Sequence, residues 1–600
     1  MKYFFLFFFL TLSSQYSNAD LLTDITDGKY KAKTIANLQS MKDGENYTIL
    51  INNELIVKYN YKTGNVVDTV LNLGKLKKSP LSTIKGYNFS PDETKLLVYS
   101  NPTYRYRRTF TADYYVYDIK RRELKPLSEN GPQEVPLFSP DSKYIAFARE
   151  NNLYLYKLDF GTESAITKDG EFGKIINGTP DWVYEEEFES TRYFVFSPDS
   201  KLLAFVKFNE TDVPTYSMQK YLNPVLPADE LPLYPTTTNF KYPNAGQNNS
   251  KVSVCVYDDF YKSVRTINLG STDADYYIPR IKWTYDQNAL AVFVLNRNQN
   301  RMDMLFAHPK SLISKLVLRE ENKYYVDYDN IDEISFLSDN KHFVFVSERD
   351  GFRHAYMYNI NGTVSKQLTK GAWDLTKVYG FNETTQTLFY QSAEESPLRR
   401  DVYSVDAKGK KTRLTDGKGT HNALFSETLA YFSDDASSTD MPNVITMRNY
   451  NGVSLRVLEN NAELAANFKA LNLSKKEFFR FTTSEGVQLN GWMIKPVGFS
   501  AQTKYPVLMV QYGGPDSQEV LDKWKVDWEY FLSAKGYLVV CVDGRGTGGR
   551  GEEFRKCTYQ QLGVLETKDQ IETAKYLANQ TYVDKDRIGI WGWSYGGFMT

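Results

Sequence analysis

Residues able to do chemistry sit in two places far apart in the chain. Near the C-terminal end, Gly592-Trp593-Ser594-Tyr595-Gly596 fits the pattern G-x-S-x-G. Such a short match arises readily by chance, but its surroundings are those the motif needs: an apolar strand before it (Ile588 to Trp591) and a helix-like start after it. On that strained turn a serine hydroxyl is held out as a nucleophile, and the glycines give the backbone room to bend. The plainer alternative is a glycine-rich turn with an idle serine. An alcohol nucleophile also needs donors for the oxyanion it creates. The Tyr595 N–H stands in the usual place for one, and Gln511-Tyr512-Gly513-Gly514-Pro515, closing an earlier apolar strand, offers the Tyr512 hydroxyl as another. No base accompanies them: His308, His342, His354 and His421, the only histidines, all lie far upstream. In the chain order this motif follows, an acid and then a histidine come after the serine, so both are expected beyond Thr600.

The second place is DWVYEEEFES, residues 181–190, where Glu185, Glu186, Glu187 and Glu189 crowd beside Trp182, Val183, Tyr184 and Phe188. Asp181 can cap a short helix, and acids in its first turn suit the helix dipole. A capped surface helix therefore accounts for one or two of the acids. Adjacent carboxylates under aromatic cover repel and lose hydration, so without a cation one of them should take up a proton. A peptide's α-ammonium, with one charge and three N–H donors, is a suitable cation, whereas a blocked N-terminus is not. Spacing alone does not say which two glutamates bind it.

The elements that must position these groups are legible as two grammars. From about residue 47 to 470 one phrase recurs, as in NFSPDETKLLVYS at 88, LFSPDSKYIAFAR at 137 and VFSPDSKLLAFVK at 195. Each copy is a strand, a tight turn and a second strand, with further strands following. Copies spaced ~45 to 60 residues apart point to a β-propeller, and eight candidate blades are counted. The wider gap after the copy at 195 holds a Pro-, Asn- and Thr-rich insertion near 208–250, readable as an arm over an edge or towards a partner chain. After about residue 471 short apolar strands such as YPVLMVQYGGP at 505 alternate with helical stretches, which indicates a parallel α/β sheet. The expected fold class is thus an eight-bladed β-propeller (47–470) plus an α/β-hydrolase domain (471–600) that is incomplete in these residues, preceded by an N-terminal segment (20–46).

Composition narrows the field. Lys+Arg 72 against Asp+Glu 73 gives a net charge of −1, which offers no basic field for nucleic acid. The start MKYFFLFFFLTLSSQYSNAD has a lysine, an apolar run too short to span a bilayer and a small-residue cleavage site, so residues 1–19 are expected to be a signal peptide. Three cysteines allow at most one disulfide, and their spacing does not form a metal site.

In this order the signal, the propeller, DWVYEEEF, YGGPDSQ, DGRGTGG and GWSYGG resemble the prolyl oligopeptidase family of serine peptidases, in its dipeptidyl peptidase IV branch. The resemblance implies that Glu186 and Glu187 anchor the substrate's N-terminus. It implies that Arg107, in Tyr106-Arg107-Arg108-Thr109-Phe110-Thr111-Ala112, holds a substrate carbonyl beside them, although Arg105 and Arg108 are close alternatives. It implies Ser594 as nucleophile, Tyr512 and Tyr595 at the oxyanion, and Tyr595 bordering a pocket for Pro, or less well Ala, at the second position. X-Pro dipeptides would be released through an acyl-enzyme, without metal or organic cofactor, by a homodimer. The lack of the cysteine-rich region of animal members points to a bacterial type, periplasmic or secreted. Two other readings remain: a tripeptidyl or acylaminoacyl peptidase of the same family, and a propeller binding module carrying an inactive hydrolase domain.

Overall fold

The computed structural model describes residues 18–35, 38–76, 79–221, 233–270 and 275–600; most of the expected signal peptide and part of the insertion lie outside them. Seven four-stranded antiparallel sheets and one of five strands follow one another from Gln39 to Glu459, giving eight propeller blades.

The recurring phrase has a physical cause in its hydrogen bonds. Ser90, Ser139 and Ser197 each donate from Oγ to the aspartate two places on, Asp92, Asp141 and Asp199, at 2.6, 2.7 and 2.7 Å. One blade further, Ser142 and Ser200, in the left-handed region at φ +60° and +62°, accept from the Asp92 and Asp141 amides at 3.0 Å. The turn thus shapes its own hairpin and links it to the next.

The ring closes without a shared sheet, since the first and last blades are each built from four consecutive strands. Side chains join the first blade to the last: the Glu427 amide donates to Ser40 Oγ at 2.9 Å, Tyr61 stacks on Tyr431 at 5.3 Å, and Arg456 reaches the Tyr47 hydroxyl at 3.0 Å. The first blade opens with Gln39–Ser40, ahead of the residue 47 read from the pattern, because that short strand carries no copy of the phrase. Within the insertion, Thr215–Lys220 pairs with Thr236–Lys241 as an exposed two-stranded arm.

Past the propeller, Ala462–Ala470 is a helix, and a five-stranded sheet follows. Tyr505–Gln511 runs parallel to Leu538–Asp543 on one side and to Val583–Gly592 on the other. Leu21, Ile25 and Tyr30 of the N-terminal segment pack into the core beneath this sheet with Trp492, Val510 and Tyr530. No helix among the described residues is long and apolar enough to cross a membrane.

Candidate active site

The helix Trp182–Glu187 interrupts the inner strand of the fourth blade: Ile175–Asn177 before it and Phe194–Phe196 after it both pair with Leu202–Asn209. Asp181 caps it, accepting from the Tyr184 amide at 2.9 Å and from Ser250 Oγ at 2.6 Å. Tyr184 is buried, and its hydroxyl accepts from the Ile278 amide at 2.9 Å. Trp182 packs on Tyr242 at the foot of the arm, ring centroids 4.4 Å apart. The aromatic company of the acids therefore grips the helix from below and from the side.

The four glutamates divide as their positions require. Glu185 is fully buried, and its Oε1 accepts from the Arg108 amide at 2.7 Å. Glu189 pairs with the Arg108 guanidinium at 2.5 Å. Glu186 meets Arg107 Nη2 at 2.9 Å. Glu187 has no hydrogen bond or ion pair among the described residues, and it is exposed. Desolvation, then the charge of Glu186, raises its pKa above the ordinary carboxylate value, with Arg107 opposing. Desolvation also raises that of Glu185, with the Arg108 amide opposing. The arginines come from the turn between Lys95–Tyr104 and Phe110–Asp118 of the second blade. Arg107 lies beside Glu186, whereas Arg108 is held mainly by Glu185 and Glu189 and stands 3.9 Å from Glu186. Arg105 donates to Asn151 at 3.4 Å and lies over the Tyr106 ring, 5.0 Å from its centroid.

In the hydrolase domain, Ser594 sits between the strand Val583–Gly592 and the short helix Tyr595–Met599, at φ +56° and ψ −119°. That is the strained backbone of a nucleophile elbow. Its glycines are sterically required: a Cβ on Gly592 would stand 2.1 Å from the Gly596 oxygen, and one on Gly596 2.4 Å from the Gln511 oxygen. Gln511, buried, donates to the Gly596 oxygen at 2.8 Å and fastens the elbow to the strand that leads into Tyr512. The Tyr512 and Tyr595 rings lie 6.2 Å apart. Tyr595 donates its hydroxyl to Glu566 at 2.7 Å; burial, then this contact, raises its pKa. The Tyr512 hydroxyl makes no hydrogen bond among the described residues, so it is free to donate to a ligand. All four histidines lie in the propeller region, where His354 and His421 are buried in hydrogen bonds of their own.

One group has the spacing of a metal site: carboxylate oxygens of Asp327, Asp329 and Asp516 lie within 4.8 Å of one another. The Arg555 guanidinium already stands against two of them, 2.6 Å from Asp327 and 3.3 Å from Asp516, so the charge is met from within the chain. Sequence reasoning missed this network, the clamp made by Arg108 and the Glu566 contact. Their partners are remote in sequence, and no local pattern marks them.

A propeller set against an α/β-hydrolase sheet that carries a nucleophile elbow defines a serine peptidase of the propeller-bearing type. Residues 90–443 match the family model of the dipeptidyl peptidase IV N-terminal region, and residues 524–600 that of the prolyl oligopeptidase family. The crystal structure of Porphyromonas gingivalis dipeptidyl peptidase 4 superposes with a TM-score of 0.92 at 45% identity, over 96% of this chain and 81% of that one. Dipeptidyl peptidase 4 of Trichophyton equinum and that of Trichophyton rubrum are each 33% identical over 533 residues, 86% of this chain and 68% of theirs. The chain belongs to the prolyl oligopeptidase family, in its dipeptidyl peptidase IV branch. Its activity is that of a serine dipeptidyl peptidase.

Proposed function

We propose that the enzyme releases X-Pro dipeptides, and X-Ala less well, from peptides with a free N-terminus. The observation that carries this reading is the unequal state of the two neighbouring acids. Glu186 is paired with Arg107, while Glu187 is exposed and unpaired among the described residues, as a carboxylate waiting for a cation would be. An α-ammonium supplies that charge, and Arg107, largely exposed, is positioned to take a substrate carbonyl as well. The propeller thus fixes the substrate's head, and Ser594 attacks the carbonyl after the second residue. The developing oxyanion rests on the Tyr512 hydroxyl and the Tyr595 amide, and the acyl-enzyme is then hydrolysed. The activating histidine and its aspartate are expected beyond Thr600. Proline at the second position fits a pocket bordered by the Tyr595 ring.

The protein is further proposed to be exported, on the strength of the apolar run Tyr3 to Leu12. It is also proposed to be a homodimer, which the exposed Tyr216 and Met218 of the arm favour. The substrate reading is tested with peptides bearing Pro at position two or three, free or acetylated at the N-terminus, and products identified by mass. Release of X-Pro from free peptides only is expected. Release of tripeptides, or equal cleavage of acetylated peptides, would show another member of the family. Failure of Ser594 to take a fluorophosphonate label in the full-length protein would show a binding module instead.

A further inference from the structure

The loop that carries Tyr512 meets the propeller at two places: Gln518 bonds Arg400 and the Pro397 oxygen, and Asp516 lies against the buried Arg555. Arg555, on the helix Glu552–Lys556 of the hydrolase domain, is 2% exposed. Its guanidinium reaches Asp327, between the fifth and sixth blades, at 2.6 Å, and it also bonds Glu348 of the sixth blade. The same Nη1 lies 3.3 Å from Asp516, four residues after Tyr512. Lys556, fully buried, adds a bond to Glu348 at 2.6 Å.

Asp516 holds φ +59°, a left-handed conformation that glycine, asparagine and aspartate adopt most readily. Its backbone is already fixed by a bond from its amide to the Gly546 oxygen at 2.9 Å, and the following residue by one from Gly548 N to the Ser517 oxygen at 3.0 Å. The carboxylate adds a side-chain contact with Arg555 to these backbone bonds. Beside it is a cavity of about 340 Å³, lined also by Asp329, Arg353, Arg400 and Gly548. On that side the Asp516 carboxylate is met by Arg555, while Gln518 anchors the next part of the loop. Desolvation pushes the Asp516 carboxyl upward, with Arg555 opposing.

We infer that Asp516 is a positioning residue: through Arg555 it makes the seating of the propeller on the hydrolase domain set where the Tyr512 hydroxyl stands. The acids that grip the substrate and the donor that receives the oxyanion are thereby held in one frame. The inference rests on Tyr512 as an oxyanion donor, and its test separates the two claims.

In the full-length enzyme, Asp516→Asn keeps the volume and tolerates the positive φ, and Asp516→Gly relieves the φ outright. For both, kcat on a dipeptide p-nitroanilide is expected to fall ~10- to 100-fold, as a donor displaced by about an ångström would cause, with KM within about twofold. In a Tyr512→Phe background the same Asp516 substitutions should cost less than about threefold, because the group they position is gone. Glu553→Gln, which cuts the exposed contact of the two domains at Lys323 and Tyr324, should leave kcat unchanged. An unchanged kcat in both Asp516 variants, while Tyr512→Phe is slow, overturns the inference and leaves the oxyanion reading standing. So does a loss that persists undiminished in the Tyr512→Phe background, since Asp516 would then act on something else. A Tyr512→Phe enzyme as fast as the parent sinks both claims.

Discussion

Replacing Glu187 with glutamine removes one negative charge from the acid pair and leaves its shape. Glu186 already shares a positive partner in Arg107 at 2.9 Å, so the bound ammonium draws its uncompensated attraction from Glu187. A hydrogen bond between charged groups contributes about 1.5–3 kcal/mol, and at 1.36 kcal/mol per tenfold this is a loss of ~10- to 160-fold. The ammonium is remote from the reacting bond, and its contribution is expected in kcat/KM. The assay compares X-Pro p-nitroanilides with free and acetylated amino groups. The parent should strongly prefer the free one, and Glu187→Gln should erode that preference by the stated factor. The parent's kcat/KM should also fall on the acid side as Glu187 takes its proton, at a pH above the ordinary carboxylate range because desolvation and Glu186 raise its pKa. The variant should lose that limb. Stability runs the other way. The folded state holds this proton more tightly than the unfolded chain does, so the ionised carboxylate subtracts from stability above its folded pKa. The variant should therefore melt no lower than the parent at pH 8. An unaltered preference for free over acetylated substrate in Glu187→Gln would refute the ammonium clamp.

Ser594→Ala should abolish fluorophosphonate labelling of the full-length protein while leaving its melting temperature within a few degrees; labelling that survives would place the nucleophile elsewhere. His421 gives a pH-dependent term in stability. Burial lowers its pKa, but Asp434 at 2.9 Å, with Asp401 and Asp416, outweighs it and the net shift is upward. The folded pKa thus lies above the unfolded one, so the contribution of the charged ring is present near pH 6 and is lost as pH rises through the folded pKa. Thermal melts of parent and His421→Asn should differ most near pH 6, and the gap should shrink towards pH 9. A gap that widens with pH would contradict the ion pair.

Much of this protein is written in short-range terms. The serine-to-aspartate bond of each turn spans two residues, which is why the repeat, and from it the propeller, is legible in the sequence. The cap on the glutamate helix spans three residues, from Asp181 to Tyr184, and the elbow glycines lie within four positions of one another, so the two chemical stretches were legible as well. The family resemblance carried the choice of Glu186 and Glu187. What the chain could not announce is who meets whom across the ring. Arg108 answers Glu185 from 77 residues away, and Arg107 meets Glu186 at 2.9 Å beside it. Arg555 finds Asp327 at a separation of 228 residues, a contact that exists only once the blades have closed and the hydrolase domain has settled on their edge. Hydrogen bonds between near neighbours are fixed by residue type and spacing. Pairing of buried charges from different blades and domains depends on which surfaces the completed ring brings together, and desolvation makes each such meeting all-or-none.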